Sequence, residues 1–405
     1  MSSRPNAALI FILMTVTLDA IGIGLIFPVM PDLMMGVTHE GVGQAALWGG
    51  IITASFAVMQ FAFGPIVGNL SDRFGRRPVL LVSLMVVGID YVVMAIASSL
   101  WVLLAARSIA GIASATHSTA NAYVADISSP EDRAKRFGLL GAGFGIGFIA
   151  GPILGGLVAG VDPRAPFWLA AGLAFANMAF GFFVMRESLS ADNRRPFSLA
   201  RANPLSSFAA IRRLPGLKIL LLVNFLYALT FNVWPAVWSY FCKEAYGWDA
   251  QWIGLSLASF GLCMAAVQGF LVGPLIRRWG ERRTVIGGFL VETVTYSFLA
   301  FNTSGLLALV TTPFSALGGV TGPALQGLGS RSTPQDQQGE LQGIMTSINA
   351  LAMILAPLVM TWVFGYFTTD TAPVYFPGSP FFLAAVVMVA AVLIFVAGSR
   401  EKSAV

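Results

Sequence analysis

Four ionisable side chains stand inside long apolar runs of this chain: Asp19, Asp90, Arg107 and Glu292. A charge in the hydrocarbon layer is costly, so such groups face a cavity or one another and mark function. Three acids against one base leave an excess of negative charge when all are ionised. A carboxyl that alternates between protonated and ionised forms can carry a proton one way in exchange for a cation moving the other. Asp19 and Arg107 can also be read as a static ion pair that holds a helix bundle together. Asp90 and Glu292 have no cation nearby within their own runs, which favours the proton-carrying reading for those two.

The elements that must hold these groups follow from composition. Of 405 residues, 56% are hydrophobic and 11% charged, whereas soluble domains carry about 25% charged residues. A bilayer crossing needs roughly 20 apolar residues. Such runs occur at 7–30, 44–69, 79–97, 100–124, 137–160 and 165–185, then at 217–242, 250–276, 283–301, 304–328, 340–366 and 379–398. The expected fold is therefore an all-α membrane protein with twelve transmembrane helices in two six-helix bundles. The first run is expected to be a span rather than a cleaved leader, because it is long, carries Asp19 and is followed by no small-residue cleavage site.

An even number of crossings puts both termini on one side. All but three of the 24 Lys and Arg residues, namely Arg107, Arg164 and Lys243, fall on that side, so the positive-inside rule makes the termini cytoplasmic. The net charge of +5 then reflects topology and calls for no nucleic acid. Two cysteines, Cys242 and Cys263, and two distant histidines, His39 and His117, suggest neither a disulfide scaffold nor a local metal motif. No phosphate-binding Gly-Lys-Ser/Thr loop, nucleophile elbow or metalloprotease helix motif occurs, so no enzymatic chemistry and no resident cofactor are expected.

Residues 187–216 read as a cytoplasmic linker, with Arg194, Arg195, Arg201, Arg212, Arg213, Pro196, Pro204 and Pro215, between bundles at 1–186 and 217–405. Across it a motif recurs: GPIVGNLSDRFGRR at 64–77 aligns with GFLVGPLIRRWGERR at 269–283, so that Gly64, Gly68 and Gly75 match Gly269, Gly273 and Gly280. Duplicated helical units are how many transporters are built, with the substrate site near the bilayer midplane. Within the first copy, Asp72, Arg73, Gly75, Arg76 and Arg77 form a dense, Gly-punctuated polar knot. Its arginines fix topology, while Asp72, which faces Arg277 in the alignment, is placed to bind a helix N-terminus or a nearby arginine in one conformation.

Gly143, Gly147, Gly151 and Gly155 share a face of the fifth helix beside Pro152, which makes either a close-packing groove or a hinge. Gly22, Gly24, Pro28 and Pro31 weaken the first helix next to Asp19. Gln60, Asn224, Asn232, Trp234 and Gln268 are polar or aromatic groups that either line a substrate path or bind neighbouring helices.

The stretch GNLSDRFGRRPVLLVS resembles the signature between helices 2 and 3 of the major facilitator superfamily, and GPILGG resembles the helix 5 motif of its antiporters. LDAIGIGLIFPVMPDL, DYVVMA, FGIGFIAGPILGG, PALQG and GELQG resemble the tetracycline/proton antiporters more closely. The resemblance implies the major facilitator fold, alternating access, and export of a tetracycline-like or other amphiphilic drug in exchange for protons. It further implies a bacterial inner-membrane location, no enzymatic reaction and no cofactor beyond a divalent cation carried as a chelate with the drug. By resemblance Asp19, Asp90 and Arg107 are essential intramembrane charges, Gln60 and Ser83 lie along the path, and Asp72 acts with Arg76 in a conformational motif that takes in Arg73, Gly75 and Arg77 and, in helix 5, Gly147, Gly151 and Pro152, the candidate partner of Asp72 being the helix that begins near Gly339. Departures fall mainly in the second half. The helix 9 acid is Glu292 instead of Asp, Met264 stands near the place of a helix 8 histidine, and helix 7 reads FNVWPAVW. In helix 4, His117 replaces a small residue and joins the substrate-lining candidates. A metabolite or sugar-like solute, moved by symport or antiport, is the alternative cargo; a receptor or scaffold without transport is a further reading.

Overall fold

The computed structural model describes residues 4–114, 116–198, 203–204, 215–369 and 372–401, and among them every regular element is helical. The linker positions Arg201, Arg212 and Arg213 lie outside the described residues. In chain order the helices are α1 (Arg4–Ile26), α2 (Met30–Thr38), α3 (Val42–Phe74), α4 (Arg76–Ile96), α5 (Leu100–Ala113), α6 (Thr116–Ile127), α7 (Pro130–Ala159) and α8 (Ala165–Val184). They continue with α9 (Lys218–Phe231), α10 (Val233–Tyr246), α11 (Ala250–Ala266), α12 (Val272–Phe301), α13 (Gly305–Ser315), α14 (Thr321–Arg331), α15 (Gln338–Thr368) and α16 (Ser379–Glu401).

Eleven helical stretches among the described residues are long and apolar enough to cross a membrane. One of them, Ala250–Phe301, has 52 residues, about 78 Å of helix at 1.5 Å per residue against a hydrocarbon layer of roughly 30 Å. It divides at Gly280, whose φ of 74° and ψ of 162° are not helical, and the count becomes the expected twelve. A π-turn at Val267–Leu271 adds a second irregularity to the same stretch. Large apolar side chains point outward, as a lipid-facing surface requires: Phe183 is 83% exposed and Phe270 82%.

The chain gathers into two units. One comprises Met1–His39, Ser55–Pro204 and Asp249–Ala258; the other comprises Glu40–Ala54, Leu205–Trp248 and Ser259–Val405. In the first unit α1 packs on α7 and α8, and α4 packs on α8. The contact with α7 is made by glycines. A Cβ on Gly151 would stand 2.7 Å from the Gly24 Cα, and one on Gly24 would stand 2.7 Å from Pro152 Cδ, so the two backbones touch. Helix α7 runs unbroken through Pro152, and its glycine face is a packing groove in this structure. Helix α1 behaves as its Gly and Pro content suggests: it gives way to a 3-10 turn at Phe27–Val29 before α2. The short segment 249–258 joins the first unit through glycine as well, since a Cβ on Gly156 would lie 2.6 Å from the Ala250 carbonyl.

In the second unit α9 packs on α15 and α16, and α12 on α14 and α16. Gly43 and Gly50 at the start of α3 rest against Thr368 and Thr361 of α15. The duplication read from the glycines extends to helix boundaries. Gly75 (φ 106°) and Gly280 (φ 74°) both take a left-handed turn that side chains resist. The helices that begin at Arg76, Leu100 and Thr116 in the first half are matched, 205 residues on, by Glu281 after the Gly280 turn, Gly305 and Thr321.

Candidate functional site

Two clusters of charge take shape in the first unit. The inner one sits where α1, α4 and α5 pass. Asp90 on α4 is 3% exposed, and its Oδ2 lies 3.5 Å from Arg107 Nε. The static pair considered for Asp19 and Arg107 is thus replaced: Arg107 faces Asp90, 17 residues away in sequence but one helix across. Asp90 Oδ1 has no hydrogen-bond partner among the described residues, so the pair is satisfied on one side only. The guanidinium of Arg107 also stands 5.6 Å from the Phe56 ring centroid and 6.0 Å from that of Tyr91, and its Nη2 approaches Met94 Sδ at 2.6 Å. Aromatic faces and a thioether hold a desolvated cation without neutralising it. Asp19, half-buried on α1, lies within electrostatic reach of Tyr91, as do Asp90 and Arg107. An acid, a tyrosine and a half-satisfied ion pair in mutual reach can take up and release a proton with a change in local field.

The outer cluster is the knot between α3 and α4. Arg76 donates to Asp72 Oδ1 at 2.6 Å, to Asp126 Oδ2 at 3.1 Å and to Ser71 Oγ at 3.1 Å. Asp72 therefore has the nearby arginine that its position suggests. Arg77 donates to the Phe182 carbonyl at 2.6 Å, and Arg73 covers the Phe74 ring at 5.2 Å. Sequence reasoning missed two members. Asp126, at the end of α6, accepts from Arg76 and from Ser188. Glu187, counted as the first residue of the linker, accepts from the backbone N–H groups of Arg76, Arg77, Ser188 and Leu189 at 2.8–3.2 Å. Its carboxylate caps the N-terminus of α4 and fills the space beside Gly75 that a Cβ would need. The linker continues over the knot, where Arg195 N–H donates to the Asp72 carbonyl at 3.1 Å, and a cavity of about 530 Å³ opens beside Arg76, Asp126 and Leu189.

The other candidates divide by surroundings. Gln60 donates to Ser114 Oγ at 3.1 Å and so ties α3 to the end of α5. Ser83 is buried in α4. His117 is exposed on α6, edge-on to Phe144 at 5.7 Å, and Phe144 stacks with Phe148 at 6.0 Å. Gly147 packs against the Thr17 carbonyl of α1. In the second unit Glu292 on α12 is 3% exposed, with Oε2 lacking a hydrogen-bond partner among the described residues, and its carboxyl packs on Gly318 in the turn between α13 and α14. Asn232 Nδ2 donates to the Ala228 carbonyl at 2.7 Å and caps the break between α9 and α10. Trp234 is 5% exposed in an aromatic core, 4.9 Å from Trp238 and 5.1 Å from Phe260 between ring centroids. Gln268 is exposed on the π-turn. Among the described residues no three His, Cys, Asp or Glu side chains gather as a metal-holding group.

The second unit repeats the outer cluster with its signs exchanged. Arg331 Nη2 lies 2.9 Å from Glu281 Oε1, at the positions 205 residues after Asp126 and Arg76. The repeat also sets Arg277 opposite Asp72.

Repeated halves of membrane-crossing helices with ionisable groups sealed among them define a secondary transporter. The chain belongs to the Major Facilitator Superfamily, whose sequence profile matches residues 12–233 and 219–404. It is 44% identical over 361 residues to the class C tetracycline resistance protein of Escherichia coli, covering 89% of this chain and 90% of that one. To the class B protein of Escherichia coli it is 36% identical, covering 90% of each. Among solved structures it is similar to the human organic anion transporter MFSD10 (TETRAN), with a TM-score of 0.68 and 25% identity over 97% of this chain and 100% of that one. The nucleoside transporter NupG, at a TM-score of 0.80 and 13% identity over 97% and 99% of the two chains, shares the fold.

Proposed function

We propose that this chain is a proton-coupled antiporter that exports a tetracycline-like drug by alternating access, with a divalent cation travelling chelated to the drug as part of the cargo. In this reading it spans the inner membrane of a bacterium with both termini in the cytoplasm, as the distribution of its basic residues favours. The observation that carries the proposal is the half-satisfied Asp90–Arg107 pair beside Asp19, buried in a chain so similar to tetracycline resistance proteins. A proton arriving at an acid of this cluster weakens its hold on a cationic partner; its departure restores the negative charge that attracts a cationic drug complex. Glu292 would serve the second half in the same way.

The test is exchange in proteoliposomes. Asp90→Asn keeps the shape and removes the charge, and drug-driven proton movement should fall by about 100-fold or more while the protein still reaches the membrane. Normal drug-for-proton exchange in that variant would sink the proposal. A wild-type protein that moves other amphiphiles or a metabolite against protons, but no tetracycline, would retain the coupling and reassign the cargo.

A further inference from the structure

Asp19 of α1, Tyr91 of α4 and Asn177 of α8 meet at one internal cavity, otherwise lined by apolar groups such as Leu84, Val87 and Ala174. Its volume of about 10 Å³ is the lower limit of the room that one water molecule needs. Asn177 is 2% exposed. Its Oδ1 accepts from Thr15 Oγ at 3.1 Å, and its Nδ2 has no partner among the described residues. Exchanging the amide O and N leaves the same shortage, one polar atom with nothing to meet it. An unpaired amide group in such a place bears its desolvation cost with nothing to offset it.

Tyr91 connects this cavity to the inner charge cluster. On one side its hydroxyl abuts α1, since a Cβ on Gly22 would stand 3.0 Å from Tyr91 Oη, and Gly22 lies one turn beyond Asp19. On the other side its ring carries the Arg107 guanidinium at 6.0 Å, and Arg107 holds Asp90. Of the other helices packed on α1, α7 presents Gly147 and Gly151, α8 presents Asn177, and α6 carries His117, Tyr123 and Asp126, while the cavity lining itself has Asp19 and Tyr91 as its ionisable groups.

We infer that the cavity is a binding site for a single water molecule that ties Asp19 to Asn177 and Tyr91, making these two the positioning residues of the proton site; the inference rests on the proton-exchange reading above. Water offers two donors and two acceptors. With Asp19 ionised, it accepts from the Asn177 amide and the Tyr91 hydroxyl and donates to the carboxylate. With Asp19 protonated, the carboxyl O–H donates to the water, the amide still donates, and the water donates to Tyr91 Oη. The only proton gained or lost is the one that Asp19 exchanges with the aqueous phase. The Tyr91 hydroxyl must turn between the two states, and the field at Arg107 turns with it. Asp19 thereby influences the Asp90–Arg107 pair without touching it.

The experiment compares wild type, Tyr91→Phe and Asn177→Leu in two measurements. Infrared difference spectra between acidic and neutral buffer, taken in ordinary and ¹⁸O-labelled water, should show for wild type an isotope-sensitive buried-water band that moves in Tyr91→Phe and is lost in Asn177→Leu. No such band in wild type, or the same band in both variants, would overturn the inference. In proteoliposomes holding tetracycline and magnesium, Tyr91→Phe should slow drug-driven proton flux about tenfold while drug–drug counterflow, which needs no net proton transfer, stays within about twofold. An equal loss in both would reduce Tyr91 to a packing residue. Wild-type protein that moves no protons would overturn the antiport proposal instead, and the infrared result would still decide the water site.

Discussion

Glu187 shows how one carboxylate can organise a turn that arginines are usually credited with. It accepts from four backbone N–H groups, two of them at the part-buried start of α4, where a negative charge is worth about 0.3–2 kcal/mol. Glu187→Ala should therefore lower the stability of the detergent-solubilised protein by about 1–2 kcal/mol, read as a fall in Tm, while Glu187→Gln, which keeps the acceptor, should recover part of it. Nothing in the sequence marks this residue, because it stands in RESLS at the head of a polar linker and the contact joins positions more than 100 residues apart. The buried acids were legible, since an Asp or Glu inside an apolar run is conspicuous in any sequence. Their partners were not. Residue type alone allows Arg107 to pair with Asp19, and only the packing of α4 against α5 gives it to Asp90. Trp234 and Asn232 are conspicuous by residue type, and what spacing does not show is their surroundings, an aromatic core for one and a helix break for the other.

At the scale of elements, the glycine face of α7 decides how near α1 can come. Gly151→Ala would push a methyl against the Gly24 backbone and should cost about 1–3 kcal/mol. Gly145→Ala, on the same helix with nothing within 4 Å, should be neutral or stabilise by up to about 1 kcal/mol through helix propensity. Thermal melts of the two variants side by side separate contact from propensity. Equal losses would mean that the groove is not what holds α1. Spacing revealed this face directly, because helical geometry brings every fourth residue to one side. It could not reveal whether Pro152 bends the helix. One boundary is plainer in the sequence than in the helices: α11, the π-turn and α12 form one helical run in which Gly280 alone divides the apolar runs at 250–276 and 283–301.

At the scale of the whole molecule, the duplication is exact enough to carry helix starts and a glycine turn across 205 residues, yet it exchanges the signs of the ion pair behind that turn. Because Arg331 is 73% exposed, the second pair should contribute only about 0.2–1 kcal/mol. Glu281→Arg and Arg331→Glu should each destabilise the protein, and the double reversal should recover about 0.5 kcal/mol or more relative to their sum. Denaturation of the four proteins in one detergent measures that coupling, and additive losses would show that the two side chains act independently. The exchange of signs bears also on descent. A gene duplication leaves two halves alike, and passing from one polarity to the other takes two substitutions at sites 50 residues apart. Each order of events sets two like charges side by side for a time. A pair of arginines still holds a basic segment on its own side of the membrane, whereas a pair of acids does not. The ancestors of this chain would have crossed between the two arrangements most cheaply with a base at both positions.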